Sequence, residues 1–157
     1  MSTVLFICTG NIFRSMTAEY ALKAALGSDT PHLVRSAGIE ADPFPMYEPV
    51  RVRLIELGAD LSDHQQTKLT DEILDEADLA VAMGLNHQAY VEEVFRRSIP
   101  LFKKVCFDLD EPVLDVGEAM PDWKDAPELV PDYTRSIVDE IWEAMPTFIQ
   151  EMHRHTR

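Results

Sequence analysis

The chain has 157 residues, of which 46% are hydrophobic, and it carries a formal net charge of −14. This length and composition predict a single globular domain over residues 1–157 and argue against disorder. Such an acidic surface repels nucleic acid and anionic membranes, and we therefore expect neither as a partner. Any anion that binds must be held by a local site.

The chain has only two cysteines, Cys8 and Cys106. They are too few for a disulfide scaffold, and no CxxC or HxxxH spacing indicates a zinc site. The apolar run at 3–7 is too short for a signal peptide or a membrane span. We therefore expect a reduced, cytoplasmic monomer without a metal ion.

Patterns typical of strands and helices alternate along the chain. Strands are predicted at 3–7, 32–38, 78–84 and 103–109, and helices at 14–26, 48–58, 70–77, 86–97 and 133–145. Thr70, Asn86 and Asp132 are the expected helix caps, and Pro146 is expected to kink or restart the last helix. The alternation predicts a three-layer α/β fold, with a four-stranded parallel sheet and helices on both faces. Ligands of such folds bind at the carboxyl ends of the strands.

The motif "CTGNIFRS" at 8–15 lies where such a ligand site is expected. A loop that enters a helix directs several backbone N–H groups at one point, and Gly10 lets the backbone turn there. The guanidinium of Arg14 can donate two hydrogen bonds to a phosphate, and the same donors favour the thiolate form of Cys8. The motif therefore predicts a nucleophile beneath a cradle for a tetrahedral anion, whereas the alternative is an inert, buried cysteine.

The chain resembles the low-molecular-weight protein tyrosine phosphatase family, in the family's order and over nearly its whole length. The similar segments are "VLFICTGNIFRSMTAE", "RSAGIEA", "GADLSDHQQTKL", "DLAVAMGLNH", "MPDW" and "DYTRSIVDEIW". The resemblance implies that Cys8 attacks phosphorus and that Arg14 and the loop hold the phosphate. It implies no cofactor, because the guanidinium and the amides supply the positive field. Its substrate would be a phosphotyrosine-containing protein or peptide, which suggests a tyrosine kinase or the substrates of one as partners.

The resemblance also implies roles for the other residues of the motif. Phosphate-binding roles fall to Thr9, Gly10, Asn11, Ile12, Phe13 and Ser15, and the Ser15 hydroxyl would ease the departure of the sulfur. Asn11, Ser36 and His64 would form a hydrogen-bond network that braces the loop.

The general acid is less well defined, because the family has an Asp-Pro pair where this chain has Asp122-Trp123. We favour Asp122, with Asp125 as the alternative, and Trp123 as a wall of the substrate pocket. Phe44, Met46 and Tyr47 are further candidate walls, and packing of these loops against the core is the competing interpretation.

Two loop residues bear on substrate and redox chemistry. Ile12 is apolar as in the tyrosine phosphatases, whereas the phosphoarginine phosphatases carry threonine there. Phe13 replaces a second loop cysteine of many family members, so peroxide is expected to inactivate the enzyme through the sulfenic acid of Cys8, without a protective intraloop disulfide. A phosphoarginine phosphatase, a thiol-dependent arsenate reductase relative and a catalytically impaired phosphate-binding module stay open as alternatives.

Overall fold

The computed structural model describes residues 2–42 and 44–156. Within them the elements are β1 (Thr3–Cys8), α1 (Arg14–Leu26), β2 (Leu33–Gly38), α2 (Glu48–Glu56), α3 (Asp71–Glu76), β3 (Leu79–Ala82), α4 (Leu85–Phe95), α5 (Phe102–Phe107), α6 (Val116–Ala119) and α7 (Val130–Glu151). Short 3₁₀ turns cover Trp123–Asp125, Pro127–Leu129 and Met152–Arg154. No helix in the described part of the chain is both long enough and apolar enough to cross a bilayer.

The sheet has the strand order β2-β1-β3, and both neighbours run parallel to β1. Cys8 pairs with Gly38 at the end of β2, and Ile7 pairs with Ala82 at the end of β3. The carboxyl ends of the three strands therefore meet at one edge, as predicted, and the 8–15 loop leaves β1 at the centre of that edge.

The predicted fourth strand at 103–109 is wrong, so the sheet of the described residues has three strands instead of four. This segment lies in α5, and only a single bridge between Leu101 and Ala82 extends the sheet there. The buried residues Phe102, Val105 and Cys106 have the i, i+3, i+4 spacing of a helix. The strand predicted at 103–109 leaves out Phe102, and without that residue the helical spacing of the buried residues is not evident.

The last helix is longer than predicted. It begins at Val130, so Asp132 lies in its first turn and is not the cap, and it continues through Pro146 to Glu151. The Phe148 ring beyond the proline packs 5.3 Å from Phe6, a contact that favours continuation of the helix. Asn86 is not a cap either, because α4 is capped by Gly84, whereas the Thr70 cap of α3 is confirmed.

Helices cover both faces of the sheet, which confirms the three-layer α/β arrangement. Alternate residues of β1 face opposite sides, so Phe6 contributes to one hydrophobic cluster and Leu5 and Ile7 to the other. The first cluster includes residues of α1, α2, α5 and α7, and the second includes residues of α3 and α4. The 8–15 loop begins where these two packed layers meet the end of β1.

Candidate active site

Cys8 is the last residue of β1 and is buried, with 2% of its surface exposed. Its sulfur lies 2.9 Å from the hydroxyl oxygen of Ser15, which is in the first turn of α1. The Asn11 amide donates to that hydroxyl oxygen at 2.9 Å. Since Ser15 accepts this bond, its own hydrogen is available for donation to the sulfur.

A second branch of the same network runs away from the sulfur. Asn11 also donates to the Ser36 hydroxyl at 2.8 Å, and Ser36 donates to the Glu19 carboxylate at 2.5 Å. The structure therefore brings Asn11, Ser15 and Ser36 together as predicted. It adds Glu19, which is 7% exposed and was missed by the sequence analysis.

The backbone of the loop is tied down on its other side by the segment after α2. Asn11 has a left-handed φ of 58°, and its side-chain oxygen accepts from the Thr67 amide at 2.9 Å. The imidazole of His64 bonds to the Asn11 carbonyl at 3.2 Å, and Gln66 donates to the Gly10 carbonyl at 2.5 Å. These bonds hold a turn that an L-residue rarely adopts. His64 thus lies where a bracing residue was expected, and Gln66 adds a further contact from the same segment.

Arg14 begins α1 and is 3% exposed. Its Nη1 donates to the carbonyl of Val113 at 2.9 Å and lies 3.5 Å from Glu118 Oε1, and its Nη2 lies 3.9 Å from Asp115 Oδ2. A long arginine side chain fixed at its tip in this way keeps the guanidinium oriented before a ligand arrives.

Cys8 and Arg14 line a cavity of about 560 Å³. Its other lining residues are Thr9, Gly10, Ile12, Phe13, Glu40, Asp42, Phe44, Tyr47, Asp115, Val116, Gly117, Trp123, Val130 and Thr134. The structure therefore brings Trp123, Phe44 and Tyr47 to the cavity, where Phe44 is 63% exposed. Met46 packs against the core instead, as the competing interpretation had it.

The structure does not bring Asp122 to this cavity. Among the described residues, both Asp122 and Asp125 are exposed and lie outside the cavity wall, in and beside the 3₁₀ turn that carries Trp123. Asp115 lies in the wall, as the cap of α6, with its Oδ1 accepting from the Val116 amide at 2.8 Å. Two carboxylates thus lie near the guanidinium, those of Asp115 and Glu118, and the sequence analysis missed both.

His87 was also missed. It is fully buried, and its Nε2 lies 2.9 Å from the hydroxyl oxygen of Thr9. The residue ends the segment 78–87, and its position soon after a predicted strand places it at the carboxyl edge of the sheet. That position was the only feature of the sequence that could have indicated a role for His87 at the site, because a lone histidine is otherwise interpreted as a packed structural residue.

Cys106 lies on α5 and is 4% exposed. Burial raises the pKa of its thiol to about 12. It therefore stays a protonated core residue at neutral pH. Of the two cysteines in the chain, Cys8 is the one that lines the cavity.

Comparison with known proteins agrees with this geometry. A low molecular weight protein-tyrosine-phosphatase of Acinetobacter johnsonii is 37% identical over 59% of this chain and 63% of its own length. A protein-arginine-phosphatase of Bacillus subtilis is 33% identical over 60% of this chain and 63% of its own. An arsenate reductase of Halalkalibacterium halodurans is 30% identical over 94% of both proteins. The chain thus spans less than two thirds of the first two relatives.

The fold is similar to that of a solved relative as well. The crystal structure of a YwlE mutant from Bacillus subtilis matches with a TM-score of 0.81 at 25% identity, over 98% of this chain and 99% of that one. The family model described as low molecular weight phosphotyrosine protein phosphatase matches residues 3–157. The chain, with its cysteine and arginine converging on one cavity, therefore belongs to the low molecular weight phosphotyrosine protein phosphatase family.

Proposed function

We propose that this chain is a cysteine-dependent phosphatase that hydrolyses phosphotyrosine in proteins or peptides through a cysteinyl-phosphate intermediate. The observation that carries the proposal is the 2.9 Å contact between Cys8 Sγ and Ser15 Oγ at the floor of the cavity that Arg14 lines. A hydrogen-bonded sulfur and a fixed guanidinium in the wall of one cavity support attack of the sulfur on a phosphoryl group held by the guanidinium.

The reaction proceeds in two displacements. The Cys8 thiolate attacks phosphorus, an S–P bond forms, and the P–O bond to the phenolic oxygen breaks. Water then attacks phosphorus and the S–P bond breaks, which releases inorganic phosphate and restores the thiolate. Arg14 and the loop amides stabilise the charge on the equatorial oxygens, and the Ser15 hydroxyl stabilises the departing sulfur.

Asp115 is our choice for the general acid, in place of Asp122. Its proton goes to the phenolic oxygen in the first displacement, and its carboxylate then accepts a proton from the attacking water. Its place in the wall of the cavity that Cys8 and Arg14 line supports this role, whereas Asp122 lies outside the wall. Asp115→Asn should lower kcat/KM for a phenyl phosphate about 100-fold and kcat/KM for p-nitrophenyl phosphate much less, because kcat/KM reports the first displacement and nitrophenolate leaves without a proton. An Asp122→Asn variant that shows this pattern instead would restore the original assignment.

An aromatic phosphate fits the rest of the cavity. Ile12 and Phe13 present apolar groups beside the anion site, and Phe44, Tyr47 and Trp123 offer rings at the mouth. Aromatic rings in a cavity wall favour contact with a phenyl ring over contact with a purely polar group. These walls support phosphotyrosine as the substrate and phosphotyrosine-containing proteins as partners.

Phosphoarginine is the second candidate, and a specific observation favours it. Glu40, Asp42 and Asp115 place three carboxylates in the cavity wall, where a guanidinium could pair with them. Ile12 argues the other way, since it offers that group no hydrogen bond. An arsenate reductase is less well supported, because its thiol relay would have to use Cys106, which is buried and protonated.

One set of assays separates these functions. We expect release of nitrophenol from p-nitrophenyl phosphate, inhibition by vanadate, and loss of activity in Cys8→Ser but not in the matched control Cys106→Ser. Phosphotyrosine peptides should be turned over with a higher kcat/KM than phosphoarginine peptides of the same sequence. The reverse order would support the arginine phosphatase, arsenate-dependent consumption of thiol would support the reductase, and phosphate binding without any turnover would indicate an impaired binding module.

A further inference from the structure

A fully buried histidine lies against the first residue of the loop after the nucleophile. His87 is the third residue of α4, and Gly84 caps that helix next to the carboxyl end of β3. The backbone N–H of Gly84 donates to His87 Nδ1 at 2.9 Å. Because Nδ1 accepts this bond, the proton of the neutral ring must reside on Nε2.

That proton points at Thr9. Nε2 lies 2.9 Å from the Thr9 hydroxyl oxygen, so the imidazole donates and the hydroxyl accepts. The Thr9 hydrogen is then left to be donated elsewhere, and Thr9 lines the cavity beside Cys8. The carbonyl of the same residue is held from the other side by the amides of Glu40 and Ala41, at 3.0 and 3.2 Å. The side chain and the backbone of Thr9 are thus anchored by different parts of the fold.

We propose that His87 is a positioning residue, which holds the Thr9 hydroxyl so that its hydrogen is donated into the cavity, towards an oxygen of the bound phosphoryl group. The proposal rests on the proposed phosphatase function. It adds a side-chain donor to the loop amides and Arg14, and it places the control of that donor on a helix outside the 8–15 loop. Donors fixed before the reaction are the ones that stabilise developing negative charge most strongly.

The surroundings of the ring keep it in the form that this role requires. Burial, and then the positive charge of Arg14, lower the pKa of His87 to about 3. The guanidinium lies close by, since Arg14 Nη1 would be 3.3 Å from a β-carbon at Gly84. A protonated ring would also direct a second N–H at the Gly84 amide, which is itself a donor. The neutral tautomer with its proton on Nε2 is therefore the one that fits.

Two substitutions separate the two hydrogen bonds of the ring. In His87→Asn the side-chain oxygen is placed like Nδ1 and keeps the bond from the Gly84 amide, but nothing reaches Thr9. In His87→Gln the amide nitrogen is placed like Nε2 and keeps the donor to Thr9. His153→Asn is the matched control, because His153 is exposed on the turn after α7.

We expect His87→Asn to lower kcat/KM for p-nitrophenyl phosphate about 10-fold and to weaken the binding of inorganic phosphate, measured by calorimetry, by a similar factor. Its melting temperature should stay close to that of the wild type. His87→Gln should recover kcat/KM to within about threefold of the wild type, and His153→Asn should not change it. In a Thr9→Val background, His87→Asn should have no further effect, because the hydroxyl that it positions is gone.

Three results would overturn the proposal. The first is that kcat/KM and phosphate affinity are unchanged in His87→Asn. The second is that kcat/KM falls as far in His87→Gln as in His87→Asn, with both proteins folded. The third is that His87→Asn lowers kcat/KM equally with and without the Thr9 hydroxyl. Failure of the proposed function itself is a different outcome, in which the wild type neither hydrolyses the ester nor binds phosphate.

Discussion

Gly38 offers a direct test of how tightly the 8–15 loop is held against the sheet. It ends β2 beside Cys8, and a β-carbon at this position would lie 2.5 Å from the Thr9 carbonyl oxygen and 3.0 Å from both the Asn11 nitrogen and the Gly10 carbonyl carbon. Ordinary van der Waals contact begins at 3.4 Å, so the first of these distances is too short by about 0.9 Å. All three atoms belong to the backbone, so no side-chain rotation can relieve the clash.

Gly38→Ala must therefore move the loop or the end of β2 by nearly 1 Å. A misplacement of about 1 Å at a reacting centre costs on the order of 100-fold in rate. We expect kcat/KM for p-nitrophenyl phosphate to fall by about that factor, together with a lower melting temperature. The backbone bonds that would have to shift are those from the Ile39 amide to the Cys8 carbonyl at 2.9 Å and from the Gly38 amide to the Thr67 carbonyl at 2.8 Å.

Gly27→Ala provides the matched control. Gly27 follows α1 with a φ of 78°, and a β-carbon there would have no atom within 4 Å. This substitution should reduce the free energy of unfolding by about 1 kcal/mol through backbone strain alone and leave kcat/KM unchanged. If Gly38→Ala kept kcat/KM within threefold of the wild type, the loop would not be wedged against β2 and the reasoning would fail.

The remaining predictions concern buried polar groups. Asn11→Ala should reduce the free energy of unfolding in urea by about 2–4 kcal/mol, because a fully buried side chain loses three hydrogen bonds; a loss below 1 kcal/mol would contradict this. Iodoacetamide near pH 7 should label Cys8 and leave Cys106 unmodified in peptide mass spectra, since burial raises the pKa of Cys106 to about 12, and equal labelling would refute it. The folded-state pKa of His87, about 3, lies below the ordinary 6.5, so its stabilisation is complete above pH 6.5 and is lost as the pH falls towards 3. Unfolding measured against pH should therefore be steeper for the wild type than for His87→Gln, by up to about 1.4 kcal/mol per pH unit, and parallel curves would show that His87 does not titrate in this way.

The placement of the nucleophile was predictable because its determinants are local. The apolar run before Cys8, the glycine two residues after it and the helix formers from Arg14 onwards are all contiguous in the sequence. Backbone geometry then places the loop at the carboxyl edge of the sheet whatever the rest of the chain does. The bracing of Asn11 by Ser36 was also accessible, but only through the resemblance, since the two residues are 25 positions apart.

The errors arose where distant contacts decide the local structure. Residues 103–109 have the composition of a strand, but the rings of Phe102 and Phe148 stack 5.7 Å apart, and this packing favours a helix whose buried face meets α7. His87 was overlooked for a similar reason. Its role depends on a bond to Thr9 across 78 residues, and no spacing along the chain signals such a bond.

The aspartate proposed as the general acid is positioned by the residues that precede it and not by its distance from the last helix. Asp122 was favoured for its neighbours Pro121 and Trp123, and Asp125 for its distance from a last helix expected to start at Tyr133. That helix starts at Val130 instead, and α6 with two 3₁₀ turns precedes it. That stretch does not fix the position of Asp115, the proposed acid. Val113 does, because its amide donates to the carbonyl of Met83, just after β3, and its carbonyl accepts from Arg14.

Val113 is hydrogen-bonded to both the sheet and the guanidinium. It therefore places the carboxylate of Asp115, two positions later, beside the cavity, whatever the length of the segment that follows. The Tyr133 hydroxyl reinforces this by donating to the Leu114 carbonyl at 2.6 Å, and burial raises the pKa of Tyr133 to about 12, so the hydroxyl keeps its proton at any ordinary assay pH. The contacts of Val113 and Leu114 thus hold Asp115 beside the cavity from the sheet and from the last helix at once. Asp122 lies beyond α6, and among the described residues it is exposed and outside the cavity wall, so these contacts of Val113 and Leu114 do not position it.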